Sequence, residues 1–183
     1  MSKIQFRVAA VAVADAEDIA RVVNAAYRPA PGKGGWTHES DIVSGARTSP
    51  SQVKGLLATS AVIVGVLDSA VIACAHVESH AGEAHIGMLA VEPTLQASGV
   101  GKELLAYAER YAAEVLGATD LVLVVVRART ELIAFYLRRG YQRTGSLVEY
   151  PIEAGVGTPI SAVLELEILR KRCSNNSLQA RRL

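Results

Sequence analysis

The chain has 183 residues, half of them hydrophobic and a fifth charged, with a formal net charge of +1. That is enough apolar material for one domain with a real core. The near-neutral charge and an aromatic content of 5% exclude a basic, base-stacking surface, so no nucleic-acid partner and no anionic-membrane partner is expected.

The two cysteines, Cys74 and Cys173, are too few and too far apart for a disulfide framework or a zinc ligand set. They suit a reducing cytoplasm, with no metal site. No apolar run approaches the ~18 residues of a membrane span. Lys3 and Arg7 ahead of VAAVAVA, with Ala12-Val13-Ala14 as a cleavage-like site, imitate a leader. The run sits at the short limit for that purpose, and cleavage would delete IQFRVA, a good first strand. A cytoplasmic protein is the expectation.

In chain order, Ile4 to Ala9 carries strand formers. Asp15 offers a helix cap, followed by Ile19, Val22, Val23, Ala26 and Tyr27 at helical spacing. Pro29, Pro31, Gly32, Gly34 and Gly35 break the chain into a loop. Thr37-His38-Glu39 looks like a second helix start, running to about Ala46, and SQVKGLLAT like a further short helix. AVIVGVL and AVIACAHVE, separated by Asp68-Ser69, predict a hairpin. Ala81-Gly82 turns into a third strand, AHIGMLAV.

After the segment QASGVGK comes a helix ending near Gly117, then LVLVVV, a run typical of a strand buried on both faces. A short helix from Glu131 to Arg139 ends at Gly140. YQRTGSLVEY predicts a strand with a glycine break, and AVLELEIL, which alternates, the last strand. The pattern is α/β, a mixed sheet with helices on its faces. Residues 1–170 read as a single domain. The remainder, KRCSNNSLQARRL (171–183), reads as a basic tail without structure.

The chemistry concentrates in QASGVGK, residues 96–102, a glycine loop feeding a helix N-terminus where free N–H groups can hold an anion. A P-loop would need Gly at position 96 and Ser or Thr at 103, where the chain has Gln96 and Glu103. A dinucleotide fingerprint would place its third glycine on Leu104 and would sit near the first strand. The kinase glycine loop fails too, since no VAIK or HRD follows.

What remains is [QR]-x-x-G-x-[GA] after a strand ending LAVxP. MLAVEPTLQASGVGKELL resembles the central strand–loop–helix motif of the GNAT superfamily of acetyl-CoA-dependent N-acetyltransferases. ELIAFYLRRGYQRTG resembles their second signature, a short helix carrying a tyrosine. Together the two motifs anchor a resemblance from Ala61 to Leu169.

The resemblance implies a three-layer fold whose central, mostly antiparallel sheet has splayed strands and flanking helices. It implies that acetyl-CoA is the co-substrate. Its pyrophosphate would lie on the backbone of Gln96, Ala97, Ser98, Gly99, Val100, Gly101 and Lys102, and its pantetheine along Leu89, Ala90 and Val91, where a backbone N–H near Leu89 or Ala90 would stabilise the thioester oxyanion. It implies an amine acceptor attacking the thioester directly, with Tyr136 as the general acid, a role that competes with plain packing. Several members carry a glutamate base eleven residues before the motif's first residue; here that position is His85, a base or simply a hydrogen-bonding strand histidine. Glu83, His76 and Glu78 are weaker candidates.

The family's cofactor-contacting Asn is replaced by Arg129, which could face a CoA phosphate or solvent. Trp36, His38 and Glu39 fall in the presumed acceptor segment. The acceptor itself, a small-molecule amine or a peptide N-terminus, is left open, as is a homodimer. A protein lysine or N-terminal acetyltransferase, or an acyl-CoA sensor of the same fold without turnover, are the alternatives.

Overall fold

The computed structural model describes residues 3–161 and 163–173. Among the described residues nine strands and four α-helices follow in the order β1 (Gln5–Val8), α1 (Val13–Tyr27), β2 (Val43–Ser44), α2 (Pro50–Thr59), β3 (Ala61–Leu67), β4 (Ala70–His80), β5 (Glu83–Val91), α3 (Val100–Glu114), β6 (Asp120–Val126), α4 (Thr130–Leu137), β7 (Gln142–Glu149), β8 (Thr158–Pro159) and β9 (Glu165–Arg172). Seven strands form one mixed sheet in the order β1-β3-β4-β5-β6-β9-β7, and β2 pairs with β8 apart from it. All pairings are antiparallel except β5 with β6. This is the mixed α/β architecture, mostly antiparallel, expected from the sequence.

Apolar side chains on the two sheet faces bury two helix layers. Ile19, Val22, Val23 and Ala26 of α1 and Val53 and Leu57 of α2 cover Val62, Val64, Val71 and Cys74. On the other face Leu104, Leu105, Ala108 and Ala112 of α3 and Ile133 of α4 meet Ile63, Ala73, Ala75, Ile86 and Leu121. Each such fully buried Leu, Ile or Val removes roughly 1.5–3 kcal/mol worth of apolar surface from water. Both predicted tight turns hold: Asp68 (φ 49°) and Ser69 (φ 70°), then Ala81 (φ 50°) and Gly82 (φ 85°), take the left-handed conformations of two-residue hairpins.

Four local expectations need correction. Asp15 is not the cap of α1. Ala12 holds that position, and the Asp15 carboxylate, inside the first turn, accepts from the Ala10 N–H at 2.9 Å and from Arg7 at 3.0 and 3.1 Å. No helix runs from Thr37 to Ala46. Only a single turn forms, with the Ile42 and Val43 N–H groups both donating to Glu39, before β2 pairs with β8. The carbonyls that would start the helix are claimed by Arg129, as described below.

β9 extends through Lys171 and Arg172, so these two belong to the sheet rather than to the tail. Lys171 is held by Glu109 at 2.7 Å, and the expected tail from residue 174 onward lies outside the described residues. Finally, Glu167 of β9 is not a solvent-facing residue of the alternation: it is 4% exposed and receives two hydrogen bonds from Arg143.

Candidate active site

The site grows from a break in the sheet. β5 pairs with β6 only at Glu83, Ala84 and His85. Beyond His85 the two strands part. Met88 has φ 50°, and the register of β5 against β4 shifts between Cys74 and His76, a bulge that turns the end of β5 away from its parallel neighbour. Two clefts open along this gap. One, of about 310 Å³, lies between the QASGVGK loop, the 36–37 segment and α4. The other, of about 410 Å³, lies between β5, β6 and the 148–151 segment. Tyr27, Leu89 and Leu132 line both, so the clefts meet at Leu89.

In the first cleft the loop presents a run of backbone N–H groups beside a helix start. Gly99 sits at φ 95° as the residue before α3, and Ala97 at φ 64°. The N–H groups of Ala97, Ser98, Gly99, Val100 and Gly101 find no acceptor among the described residues. They cluster at the positive end of the α3 dipole.

Gly101 is informative because the protein itself does not require glycine there. A Cβ would meet only Val91 Cγ2 at 3.7 Å and Phe135 Cζ at 4.0 Å, ordinary contacts. Glycine in a helix costs up to about 1 kcal/mol relative to alanine. The open backbone leaves room for a ligand to approach closely.

The residues assigned to the loop divide on inspection. Ala97, Gly99, Gly101 and Lys102 face the cleft. Val100 is buried in the core, and the Ser98 hydroxyl donates back to Leu95 at 2.5 Å, so these two offer backbone only. Gln96 lines the cleft, but its amide is committed to the protein, donating to Val91 O at 3.0 Å and Thr37 Oγ1 at 2.9 Å. On β5, Leu89 and Val91 line the first cleft, while Ala90 turns into the core beneath α1. The Leu89 carbonyl already accepts from the Tyr27 hydroxyl at 3.1 Å, which leaves one lone pair for a ligand amide.

The second cleft brings together Tyr136 and His85. Tyr136 is 5% exposed and wedged edge-on between Phe135 and Tyr141, at centroid distances of 5.3 and 5.9 Å. Burial drives its phenol well above the ordinary tyrosine range, so it stays protonated and is a hydrogen-bond donor at any working pH. The His85 side chain is 43% exposed and 3.9 Å from Glu83; Glu83 is itself held by Arg170 at 2.5 Å.

His76 also lines this cleft, but it shares a 2.7 Å hydrogen bond with Ser60 Oγ, and burial lowers its pKa. Glu78 is exposed and lines neither cleft. Cys74 lies under the bulge against the Met88 carbonyl at 3.8 Å. Burial pushes its thiol up to about 12, which makes it inert.

The presumed acceptor segment is organised differently from the sequence expectation. Trp36 lines the first cleft, its ring 6.0 Å from Phe135. His38 lines neither cleft, and its Nδ1 is buried without a partner among the described residues. Glu39 lines the second cleft but forms a buried ion pair with Arg28 at 2.9 Å. Arg129 faces neither solvent nor a phosphate. It is 6% exposed and donates to the carbonyls of Trp36 (2.9 Å), Thr37 (2.8 Å) and His38 (2.5 Å), with Nε on Glu131 at 2.9 Å.

Sequence reasoning also missed Tyr27, Arg47, Phe135 and Arg139 as cleft residues. The Arg139 guanidinium lies 3.3 Å over the Phe135 ring, a contact across one helical turn that spacing alone hints at.

The GNAT acetyltransferase family model matches residues 19–141. The chain belongs to the GNAT acetyltransferase family. The match runs from within α1 to Tyr141, just before β7, and includes the first motif, the whole lining of the first cleft, and His85 and Tyr136 of the second. No curated protein matches the chain by sequence.

Among solved GNAT-like structures, the PaiA N-acetyltransferase from Thermoplasma acidophilum in complex with coenzyme A is 18% identical, with a TM-score of 0.70 over 93% of this chain and 99% of that one. An N-acetyltransferase from Staphylococcus aureus Mu50 is 14% identical, with a TM-score of 0.68 over 94% and 100%. The IAA acetyltransferase from Bacillus cereus is 16% identical, with a TM-score of 0.63 over 93% and 99%. At these identities the likeness is one of fold. Among the described residues no cluster of three or more metal-ligating side chains occurs, and no helix is long and apolar enough to cross a membrane.

Proposed function

We propose that this GNAT protein transfers the acetyl group of acetyl-CoA to a primary amine by direct attack, in the cytoplasm and without a metal. The observation that carries the reading is the continuity of the two clefts at Leu89. An anion cradle with five unpaired N–H groups lies on one side of that junction, and Tyr136 with His85 on the other.

Bound acetyl-CoA would supply an acetyl group activated as a thioester. The loop from Ala97 to Lys102 would hold its diphosphate, and Phe135, Leu132 and Val91 would line the path of its pantetheine and keep water out. In the second cleft the half-exposed His85 accepts the proton that a protonated amine must lose before it can attack.

The C–N bond forms as the C–S bond breaks, the attacking nitrogen gives up its second proton, the departing sulfur takes up a proton to leave as the free thiol, and the Tyr136 hydroxyl donates a hydrogen bond to that sulfur. The raised phenol pKa makes full transfer to a thiolate, whose own pKa is near 8.5, unfavourable. Tyr136 therefore acts mainly as a hydrogen-bond donor to developing charge.

Mixing the protein, acetyl-CoA and a panel of primary amines, with thiol release as the readout, tests the reading. Release well above the amine-free rate for at least one amine is expected. Tight acetyl-CoA binding with no amine-stimulated release would instead favour a sensor without turnover.

A further inference from the structure

The second cleft contains a cation that no described residue neutralises. Arg47 is half-buried, lines the cleft and stacks its guanidinium 5.4 Å from the centre of the Tyr27 ring. Its backbone is fixed from α1. Asn24 Oδ1 accepts from the N–H groups of Arg47 (2.8 Å) and Thr48 (3.3 Å), and Asn24 Nδ2 donates to Thr48 O at 2.9 Å.

Among the described residues the Arg47 guanidinium has neither a carboxylate partner nor a hydrogen-bond acceptor. The contrast with Arg28 is direct. That guanidinium is engaged through both terminal nitrogens by Glu39, Tyr27 O, Val156 O and Tyr150. Of the acids lining the cleft, Glu39 is locked in that pair, and Glu149 is exposed on β7. A partly desolvated arginine without a partner is costly in a free protein and is repaid when an anion arrives.

Resting on the acetyl-transfer reading, we infer that the acceptor is an amine that also carries a carboxylate, and that Arg47 holds that carboxylate. The Tyr27 ring under Arg47 sends its hydroxyl to Leu89 O at 3.1 Å, so a single tyrosine separates the cation from the point where the two clefts meet. A small amino acid spans such a gap, with its carboxylate on the guanidinium and its amino group toward Leu89. A planar guanidinium matches a planar carboxylate with two parallel hydrogen bonds.

Beyond Arg47 and the polar groups around His85 and Tyr136, much of the cleft wall is aliphatic. Met88, Val122, Val124, Val126, Val148 and Leu166 line it, which points to an apolar side chain on the amino acid. A peptide N-terminus lacks the α-carboxylate and would leave Arg47 unpaired.

The test uses the full chain saturated with CoA, which cannot react, and titrates L-leucine, L-methionine and L-phenylalanine against their carboxamides by calorimetry. At least one free acid is expected to bind tenfold or more tightly than its amide. Arg47→Gln is expected to bring the pair to within twofold, with Arg47→Lys in between. Equal or tighter binding of the amides, no binding of any acid, or a preference that survives Arg47→Gln in a folded variant overturns the inference.

Repeating the pairs with acetyl-CoA and following thiol release separates the two claims. Acids that bind with the expected preference but release no thiol would sink acetyl transfer and leave the carboxylate site standing. Release with amides but not acids would do the reverse.

Discussion

Arg129, the residue preceding α4, donates from Nη1 to the carbonyl of Thr37 at 2.8 Å, 92 positions away in the chain. With its bonds to Trp36 and His38, one guanidinium collects three successive carbonyls. Gln96, at the foot of the anion loop, holds the Thr37 hydroxyl from the other side. The segment carrying Trp36 is thus tied both to α4 and to the QASGVGK loop, and forms one wall of the first cleft. Three partly buried carbonyls lose their charged donor if Arg129 is removed, at a cost of about 1 kcal/mol each where water can replace it. Arg129→Ala is expected to lower the melting temperature and weaken acetyl-CoA binding at least tenfold by calorimetry. Arg129→Lys, which cannot reach three carbonyls at once, is expected to recover only part of each.

Tyr136→Phe keeps the packing against Phe135 and Tyr141 and removes only the hydroxyl. Turnover is expected to fall by 10- to 1,000-fold, in the range of a lost acid or hydrogen-bond donor to developing charge, with acetyl-CoA affinity changed less than threefold. Steady-state kinetics beside calorimetry reads the split, and unchanged kcat would remove Tyr136 from the chemistry.

Gly101→Val adds a branched side chain where the protein leaves space. Because a Cβ there meets only Val91 and Phe135 at ordinary distances, the variant is expected to fold. It is expected to bind CoA at least tenfold more weakly. Normal affinity in a folded variant would rule out the close approach of a diphosphate to this backbone.

The pH dependence of stability has one clear contributor near the start of the chain. The Arg7 guanidinium, with the Ala10 N–H, holds the Asp15 carboxyl below its usual range. A depressed carboxylate pKa stabilises the fold above the unfolded value near 3.9, and that stability is lost as pH falls through the lower folded value. Arg7 is 47% exposed, so solvent screening limits the effect to about 1 kcal/mol or less. Asp15→Asn is expected to lower stability to urea at pH 7, with the difference from the parent chain vanishing as the pH drops below the folded pKa.

The sheet, the four helices that flank it and both motif segments were legible because their signals are local. Period-2 and period-3.6 apolar patterns placed β3, β4, β5, α1 and α3, and the glycine loop announced the start of α3. Even Ser49-Pro50 with Gln52 carries a readable start for α2. Ser49 Oγ accepts from the Gln52 N–H at 3.2 Å, and Gln52 Oε1 accepts from the Ser49 N–H at 2.9 Å, a reciprocal cap preceding a proline.

The site was legible only where a motif stood for it. The helix expected from Thr37 failed because its carbonyls are bound by Arg129, a partner far along the chain that no local pattern reveals. For the same reason Arg129 read as surface or phosphate-facing, and Glu39 as a substrate contact rather than the partner of Arg28. The bulge at Met88, which opens the gap at Leu89, leaves no mark in the residue types of GMLAV. It is a property of how β5 is paired on its two sides.

The two clefts, joined at Leu89, are expected to form one acetyl-CoA site. Calorimetric titration of the full chain with acetyl-CoA tests it most directly, with the Gly101→Val variant alongside. Stoichiometric binding at micromolar concentrations is expected, weakened at least tenfold in the variant. No binding to the folded protein, or equal binding to both chains, would contradict it.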